Sequence, residues 1–279
     1  ALLPAPYWVT FPEQIKLADA NVIVINTEEK NDFKITADQL KKAITPKTKL
    51  LILNSPSNPT GCVYTKKELE AIAEICIKNN IVVVSDECYE KIVYDGVEQV
   101  SIASLGKEIF NLTIVVNAVS KSYSMTGWRI GFAAGPSDVV KAMSEIQSHA
   151  TSNPTSFAQK GAIEAYKGPQ DSVAMMVAEF DKRRKILVEG LNKIPGVSCR
   201  VPKGAFYAFP NVSGLYGKTL NGKTIKNSLE LSAYLLDVAQ IAVVPGSAFG
   251  ADNYLRFSYA TATKNVVEGL DRMKKAVVF

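Results

Sequence analysis

The sequence predicts an α/β fold built on a mostly parallel sheet, followed by a smaller α+β domain. Three observations carry that reading. First, the runs Leu50-Leu51-Ile52-Leu53, Ile81-Val82-Val83-Val84 and Ile114-Val115-Val116 are apolar at every position, as expected of strands buried on both faces. Second, a helix separates the first two runs. Thr65 and Glu68 form a capping box, and Leu69, Ile72, Ala73, Cys76 and Ile77 share one face before Asn79-Asn80 ends it. That makes a βαβ unit, hence a parallel sheet. Third, the texture changes after Pro195-Gly196, from long helical periods to short strands.

The elements follow in order. Ala1-Leu2-Leu3-Pro4 runs into an apolar, aromatic stretch with no polar lead-in or cap, and reads as the middle of a domain. A helix begins at Thr36, with Gln39 as its box partner. Further helices are expected near 137–149, 155–167 and 171–194. Downstream come short strands near 197–201, 205–209, 241–244 and 254–259, a helix near 228–239 and a last helix from Thr263. The division expected is a large domain over 1–175 and a small one over 176–279, joined by the long helix.

Bulk properties remove several classes of function. The chain has 279 residues, 47% hydrophobic and 21% charged, with a net charge of +5. The excess of cations is dispersed, which argues against nucleic-acid or membrane binding and suits small anions. No apolar run approaches membrane-spanning length, and no secretory signal opens the chain. Cys62, Cys76, Cys88 and Cys199 lack metal-ligand or disulfide-framework spacing. Reduced, mostly buried thiols in a cytoplasmic protein are expected.

Ligands of open parallel sheets bind at the carboxyl ends of the strands. The three buried runs end in Asn54-Ser55-Pro56-Ser57-Asn58-Pro59-Thr60-Gly61, in Ser85-Asp86-Glu87-Cys88-Tyr89 and in Asn117-Ala118-Val119-Ser120-Lys121. An amide, a carboxylate, a phenol and an amine therefore converge on one edge. That set suits a cofactor with an electron-poor pyridine ring. A strand-end Asp can keep the ring nitrogen protonated, and a desolvated Lys can condense with an aldehyde. Arg129, in Met125-Thr126-Gly127-Trp128-Arg129-Ile130-Gly131, offers a planar fork for a phosphate.

Each feature also has a plainer reading. Asn58-Pro59-Thr60-Gly61 alone is a good turn, Asp86 suits a helix cap, and Tyr89 suits a core aromatic. Arg129 and Arg256 suit structural ion pairs. Trp8 suits packing, and His149, the sole histidine, sits on an expected helix. A lysine flanked by serines at the inner end of a buried strand is the hardest to explain structurally.

These residues, with Pro6-Tyr7-Trp8, Ser152-Asn153-Pro154-Thr155-Ser156 and Arg256-Phe257-Ser258-Tyr259-Ala260, carry a resemblance to a known family. The chain resembles the fold type I pyridoxal-phosphate-dependent aminotransferases, and among them the bacterial and archaeal type of aspartate aminotransferase. The resemblance implies a three-layer αβα sandwich for the large domain, pyridoxal 5'-phosphate as cofactor, and a homodimer. It implies that Lys121 binds the cofactor covalently and moves the substrate α-proton. Asp86 pairs with the ring nitrogen, and Asn58 and Tyr89 contact the ring's phenolic oxygen. Trp8 stacks on the ring, Arg129 binds phosphate, and Arg256 binds the substrate α-carboxylate, with Asn58 and Trp8 beside it. Ser120 is a further phosphate candidate, although the serine that many relatives carry three residues before the lysine is Ala118 here.

Aspartate with 2-oxoglutarate is the substrate pair implied, with prephenate, aromatic amino acids or alanine as alternatives. Family members also carry a substantial segment before the proline-aromatic motif, which helps bind phosphate and select the side chain. A chain without that segment is also compatible with a non-catalytic aminotransferase-like module. A lyase on the same fold is a third reading.

Overall fold

The computed structural model describes residues 1–277. Its first part contains β1 (Leu2–Ala5), α1 (Phe11–Leu17), β2 (Ile23–Asn26), α2 (Ala37–Ala43), β3 (Leu50–Asn54), α3 (Lys66–Lys78), β4 (Val82–Asp86), α4 (Lys107–Phe110), β5 (Thr113–Ala118), α5 (Val119–Ser122), β6 (Gly131–Ala134), α6 (Ser137–Ala150) and α7 (Ser156–Lys167). Next come α8 (Asp171–Asn192), β7 (Tyr207–Ala208), β8 (Thr219–Leu220), β9 (Lys223–Thr224), α9 (Ser228–Ala239), β10 (Val244–Pro245), β11 (Leu255–Ser258) and α10 (Thr263–Val277).

The first six strands form one sheet in the order β2-β1-β3-β4-β5-β6, parallel throughout except for β6. The three apolar runs became β3, β4 and β5, the centre of that sheet. Both capping boxes form: Thr36 and Thr65 accept from the N3 amides, while Gln39 and Glu68 reach back. Each such cap is worth about 1 kcal/mol.

The opening residues turn out to be a sheet strand, β1, between β2 and β3. Pro4 lies inside this strand, where it has no N–H to donate. The β1 pairing with β3 is accordingly brief, a single Leu2–Leu51 register, while β2 pairs along its whole length.

Of the four apolar clusters among the described residues, two are large. One includes Leu2, Leu40, Leu51, Leu69, Ile72 and Val83 between the sheet and α2–α3. The other lies beneath α8, α9 and α10 and includes Leu187, Leu191, Leu231, Leu235 and Met273. Tyr89, Ile92 and Tyr94, which follow β4, belong to this second core.

The downstream strands are shorter than the sequence pattern suggests. The strand expected at 197–201 is absent; Ser198 makes one isolated bridge to Asn211. The reason is a side chain: Asn192 accepts from the Cys199 N–H at 2.8 Å and donates to its carbonyl at 2.9 Å, taking the place of a strand partner. The strand expected at 205–209 contracts to β7, and that at 241–244 begins only at Val244. The long helix ends at Asn192 and the others fall close to their expected bounds.

One face is left uncovered. No residue of α6 is buried, and the exposed apolar side chains nearby include Ile146 (71%), Phe157 (69%), Phe132, Met143 and Ile163. Among the described residues no helix is long and apolar enough to cross a membrane. The four cysteines are free, and three of them are buried.

Candidate active site

Register places the candidate positions before any side chain is considered. Asn54, the last residue of β3, pairs with Asp86, the last of β4, and Asp86 in turn pairs with Val116 on β5. The carboxyl ends of the parallel strands thus share one edge. Because β6 runs antiparallel, its start returns to that edge, with Gly131 opposite Ala118. Arg129, two residues before Gly131, therefore sits beside the end of β5. Trp8 lies just past the end of β1, so the edge spans the point where strand order reverses between β1 and β3, a usual ligand position.

The loop after β3 is latched in place. Asn54 donates from Nδ2 to the Asp86 carbonyl at 3.1 Å and accepts from the Asn58 N–H at 2.8 Å. Asn58 is buried, and its Oδ1 accepts from Arg256 Nη1 at 2.9 Å. Gly61 closes the loop at φ +67°, where a Cβ would meet Pro202 at 2.5 Å and the Gly204 carbonyl at 2.7 Å. Only glycine lets the 202–204 segment donate two amides to the Gly61 carbonyl, at 2.9 and 2.8 Å.

Asp86 accepts the Cys88 N–H at 3.1 Å. Burial raises its pKa, an effect that the Cys88 hydrogen bonds and the nearby Lys121 charge oppose. Lys121, on α5, is thus electrically coupled to the carboxylate. The adjacent Glu87 is buried and accepts the hydroxyls of Ser85 (2.8 Å) and Ser101 (2.6 Å). Its pKa too is raised by burial.

Tyr89 is buried, with its hydroxyl 2.9 Å from that of Tyr207. Arg256 on β11 lies over the Tyr207 ring at 4.5 Å and the Phe249 ring at 5.1 Å from the centroids. Cation–π contacts of this kind contribute about 0.5–2 kcal/mol.

The remaining candidates stand at the edge without these contacts. Trp8 is half-buried and packs edge-on against Phe11, 5.3 Å between centroids. Arg129 is exposed in a left-handed conformation (φ +52°), with Nη1 donating to the Thr126 carbonyl at 3.0 Å. It borders an open cavity of about 690 Å³ with Asn153, Thr155 and Phe157. Ser120 is half-buried beside Lys121 on α5. His149 is exposed near the end of α6. Cys62 is buried, its thiol pushed up to about 11 by desolvation, and Cys88 is shifted the same way.

Two residues of this constellation escaped the sequence reading. Asn54 shows only as a strand-end amide, yet it fixes the Asn58 loop. Tyr207 shows only as one aromatic in the run Ala205-Phe206-Tyr207-Ala208-Phe209, yet it touches both Tyr89 and Arg256.

The chain matches the model of the family "Aminotransferase class I and II" over residues 1–272. It is 50% identical over 278 residues to an aspartate aminotransferase of Geobacillus stearothermophilus, spanning 99% of this chain and 70% of that protein. It is 47% identical to a probable aspartate/prephenate aminotransferase of Aquifex aeolicus, covering 99% and 69%. Among solved structures, the aspartate aminotransferase of Rhizobium meliloti superposes with a TM-score of 0.95 at 42% identity, over 99% of this chain and 70% of that one. An aromatic aminotransferase of Pyrococcus horikoshii gives 0.91 at 41%, over 98% and 72%. Identity this high along almost the whole chain, on the same fold, settles the family: the chain belongs to the class I and II aminotransferases.

Proposed function

We propose that this aminotransferase moves an amino group between L-aspartate and 2-oxoglutarate, giving oxaloacetate and L-glutamate. The observation that carries the reading is the Arg256–Asn58 contact at the sheet edge where β4 ends in Asp86 and β5 leads into Lys121 on α5. It sets a guanidinium fork for a carboxylate next to an amine and a buried acid. The names of the relatives support aspartate as donor.

Enzymes of this family depend on pyridoxal phosphate, and the donor set here fits it. A carboxylate whose burial disfavours its charge calls for a cation, and a ring N–H⁺ supplies one to Asp86. Lys121 offers the amine for an aldehyde, Asn58 and Tyr89 offer donors for a phenolic oxygen, and Arg129 and Ser120 offer partners for a phosphate. When bound, the cofactor supplies a carbonyl carbon that condenses with amines and a ring that accepts electron density.

The protein's own residues do the rest. Arg256 binds the substrate α-carboxylate through paired donors and orients the α-carbon. Asn58 holds the Arg256 fork and Trp8 covers the adjoining face. Lys121 would take the proton from the substrate α-carbon as a base held at close range. Asp86 would hold a ring nitrogen protonated, and Tyr89 would donate to a phenolic oxygen. In the reverse half-reaction the same lysine returns a proton to the α-carbon of the new amino acid.

The quaternary reading is a homodimer, which the uncovered apolar face of α6, α7 and β6 supports. The division into a large domain over 1–175 and a small one over 176–279, and a cytoplasmic location, go with the same reading. The test is a coupled assay of oxaloacetate formed from L-aspartate and 2-oxoglutarate, compared by kcat/KM with aromatic donors and prephenate. An aromatic preference favours the second reading, which the Pyrococcus and Aquifex relatives support. Absence of any amino transfer overturns both.

A further inference from the structure

Two buried phenols meet edge-on, their ring centroids 5.8 Å apart. Tyr89 follows Asp86 by three residues, Tyr207 lies on β7, and they are 4% and 6% exposed. Their hydroxyls are 2.9 Å apart. Such a pair shares one hydrogen: one phenol donates, and the hydrogen of the other is free to point elsewhere.

The surroundings decide which one donates. Burial raises the Tyr207 phenol, and the Arg256 guanidinium 4.5 Å over its ring opposes that rise. Burial raises the Tyr89 phenol as well, and there Asp86 and Cys88, at and just after the end of β4, add to the rise where Arg256 opposes it at Tyr207. The stronger acid is the better donor, so Tyr207 gives its hydrogen to the Tyr89 oxygen. The Tyr89 hydrogen is then left for a different acceptor.

We propose that Tyr207 is a positioning residue with two tasks: its hydroxyl aims the Tyr89 hydrogen at the phenolic oxygen of bound cofactor, and its ring carries the Arg256 guanidinium. One side chain thereby couples the cofactor contact to the substrate-carboxylate contact. The inference rests on the roles of Tyr89 and Arg256 given above. Asp86, Cys88 and Arg256 are the ionisable groups that bear on the phenol pair.

Tyr207→Phe deletes the hydroxyl and keeps the ring; Tyr207→Leu deletes both. The phenolic oxygen, receiving a weaker donor, becomes more basic and holds a proton to higher pH. In the chain loaded with pyridoxal phosphate, Tyr207→Phe should raise the pH midpoint of the visible absorbance change by about half a unit to one unit. Its KM for 2-oxoglutarate should stay within about twofold of the parent's, because the Arg256 support is intact. Tyr207→Leu should show the same spectral shift and a KM raised roughly 3- to 30-fold.

Tyr89→Phe is the reference, and its midpoint should move at least as far. A shift in Tyr89→Phe with none in Tyr207→Phe overturns the Tyr207 role and leaves the proposed function standing. No shift in Tyr89→Phe overturns the Tyr89 assignment and with it this inference. A parent protein that develops no visible band on cofactor addition overturns both. Because Phe is isosteric, Tyr207→Phe decides the matter even if Tyr207→Leu does not fold.

Discussion

Asn58 Oδ1 accepts from Arg256 Nη1 at 2.9 Å, joining residues 198 positions apart in sequence. The bond links the loop after β3 to β11, alongside the two amides that the 202–204 segment donates to the Gly61 carbonyl. Arg256 uses one donor for Asn58 and rests on two aromatic faces, which leaves its remaining donors for an anion.

Arg256→Lys tests this geometry without removing the charge. An ammonium is a point charge and cannot grip a carboxylate with two parallel bonds. Losing one charge-assisted hydrogen bond costs about 1.5–3 kcal/mol, so KM for both amino and oxo acid should rise by roughly 10- to 100-fold. Cofactor absorbance should be retained. Steady-state kinetics with each substrate varied gives the comparison, and an unchanged KM would assign Arg256 to structure instead.

Lys121→Ala removes both the proposed covalent partner of the cofactor and the proposed base. Turnover should fall by at least about 10²–10⁴-fold, the range for a positioned general base alone. Borohydride treatment of the loaded parent protein should fix cofactor onto the peptide containing Lys121, and the variant should carry none. Label recovered on another lysine would move the assignment.

Much of this site was legible in the sequence because its positions lie at the ends of strands with no polar interruption. β3, β4 and β5 are apolar at every position near their middles, and a buried strand announces its end when polar residues resume. β1 was not legible, since Pro4 disguises a strand whose partners tolerate a missing donor. β6, Gly131–Ala134, has no β-branched residue at all, and its antiparallel return is what brings Arg129 to the edge. Tyr207 was hidden for a different reason. Its importance lies in two contacts made over 118 and 49 positions of sequence, to Tyr89 and to Arg256, and no local pattern encodes those.

Asp86→Asn separates cofactor binding from stability. Burial raises the Asp86 pKa in the folded, cofactor-free protein above its unfolded value. The folded state therefore binds more protons, and stability is lost as pH rises from the unfolded value of about 3.9 through the folded one. Asparagine does not titrate, so the cofactor-free variant should melt higher than the parent at pH 7, with the gap closing below about pH 4. Glu87 shifts in the same direction in both proteins and cancels. Cofactor binding should weaken by about two to four orders of magnitude, corresponding to about 3–5 kcal/mol for stranding one member of a buried ion pair. Thermal melts with and without cofactor provide both readings. A lower melting point for the cofactor-free variant would contradict the sign.

Arg184 supports the site from a distance. Only 1% exposed, it forks onto Asp95 at 2.7 and 3.0 Å, reaches Asp181 through Nε at 2.9 Å and the Pro202 carbonyl at 2.7 Å, and lies 4.5 Å over the Tyr94 ring. It therefore ties the segment after β4 to α8 and to the 202–205 stretch that leads into Tyr207. Arg184→Leu strands these acceptors and should destabilise the fold by about 2–4 kcal/mol, read as a lowered urea midpoint. The pH dependence has its own sign. Arg184 and Lys203 hold the Asp95 carboxyl well below the usual carboxylate range. Their stabilisation is present in full above the unfolded pKa and is lost as pH falls toward the folded one. Asp95→Asn should therefore be less stable than the parent at pH 7, and the difference should shrink once pH drops below about 4. A difference that stays constant from pH 7 to pH 3 would mean that packing around Arg184, and not its ion pairs, holds this junction together.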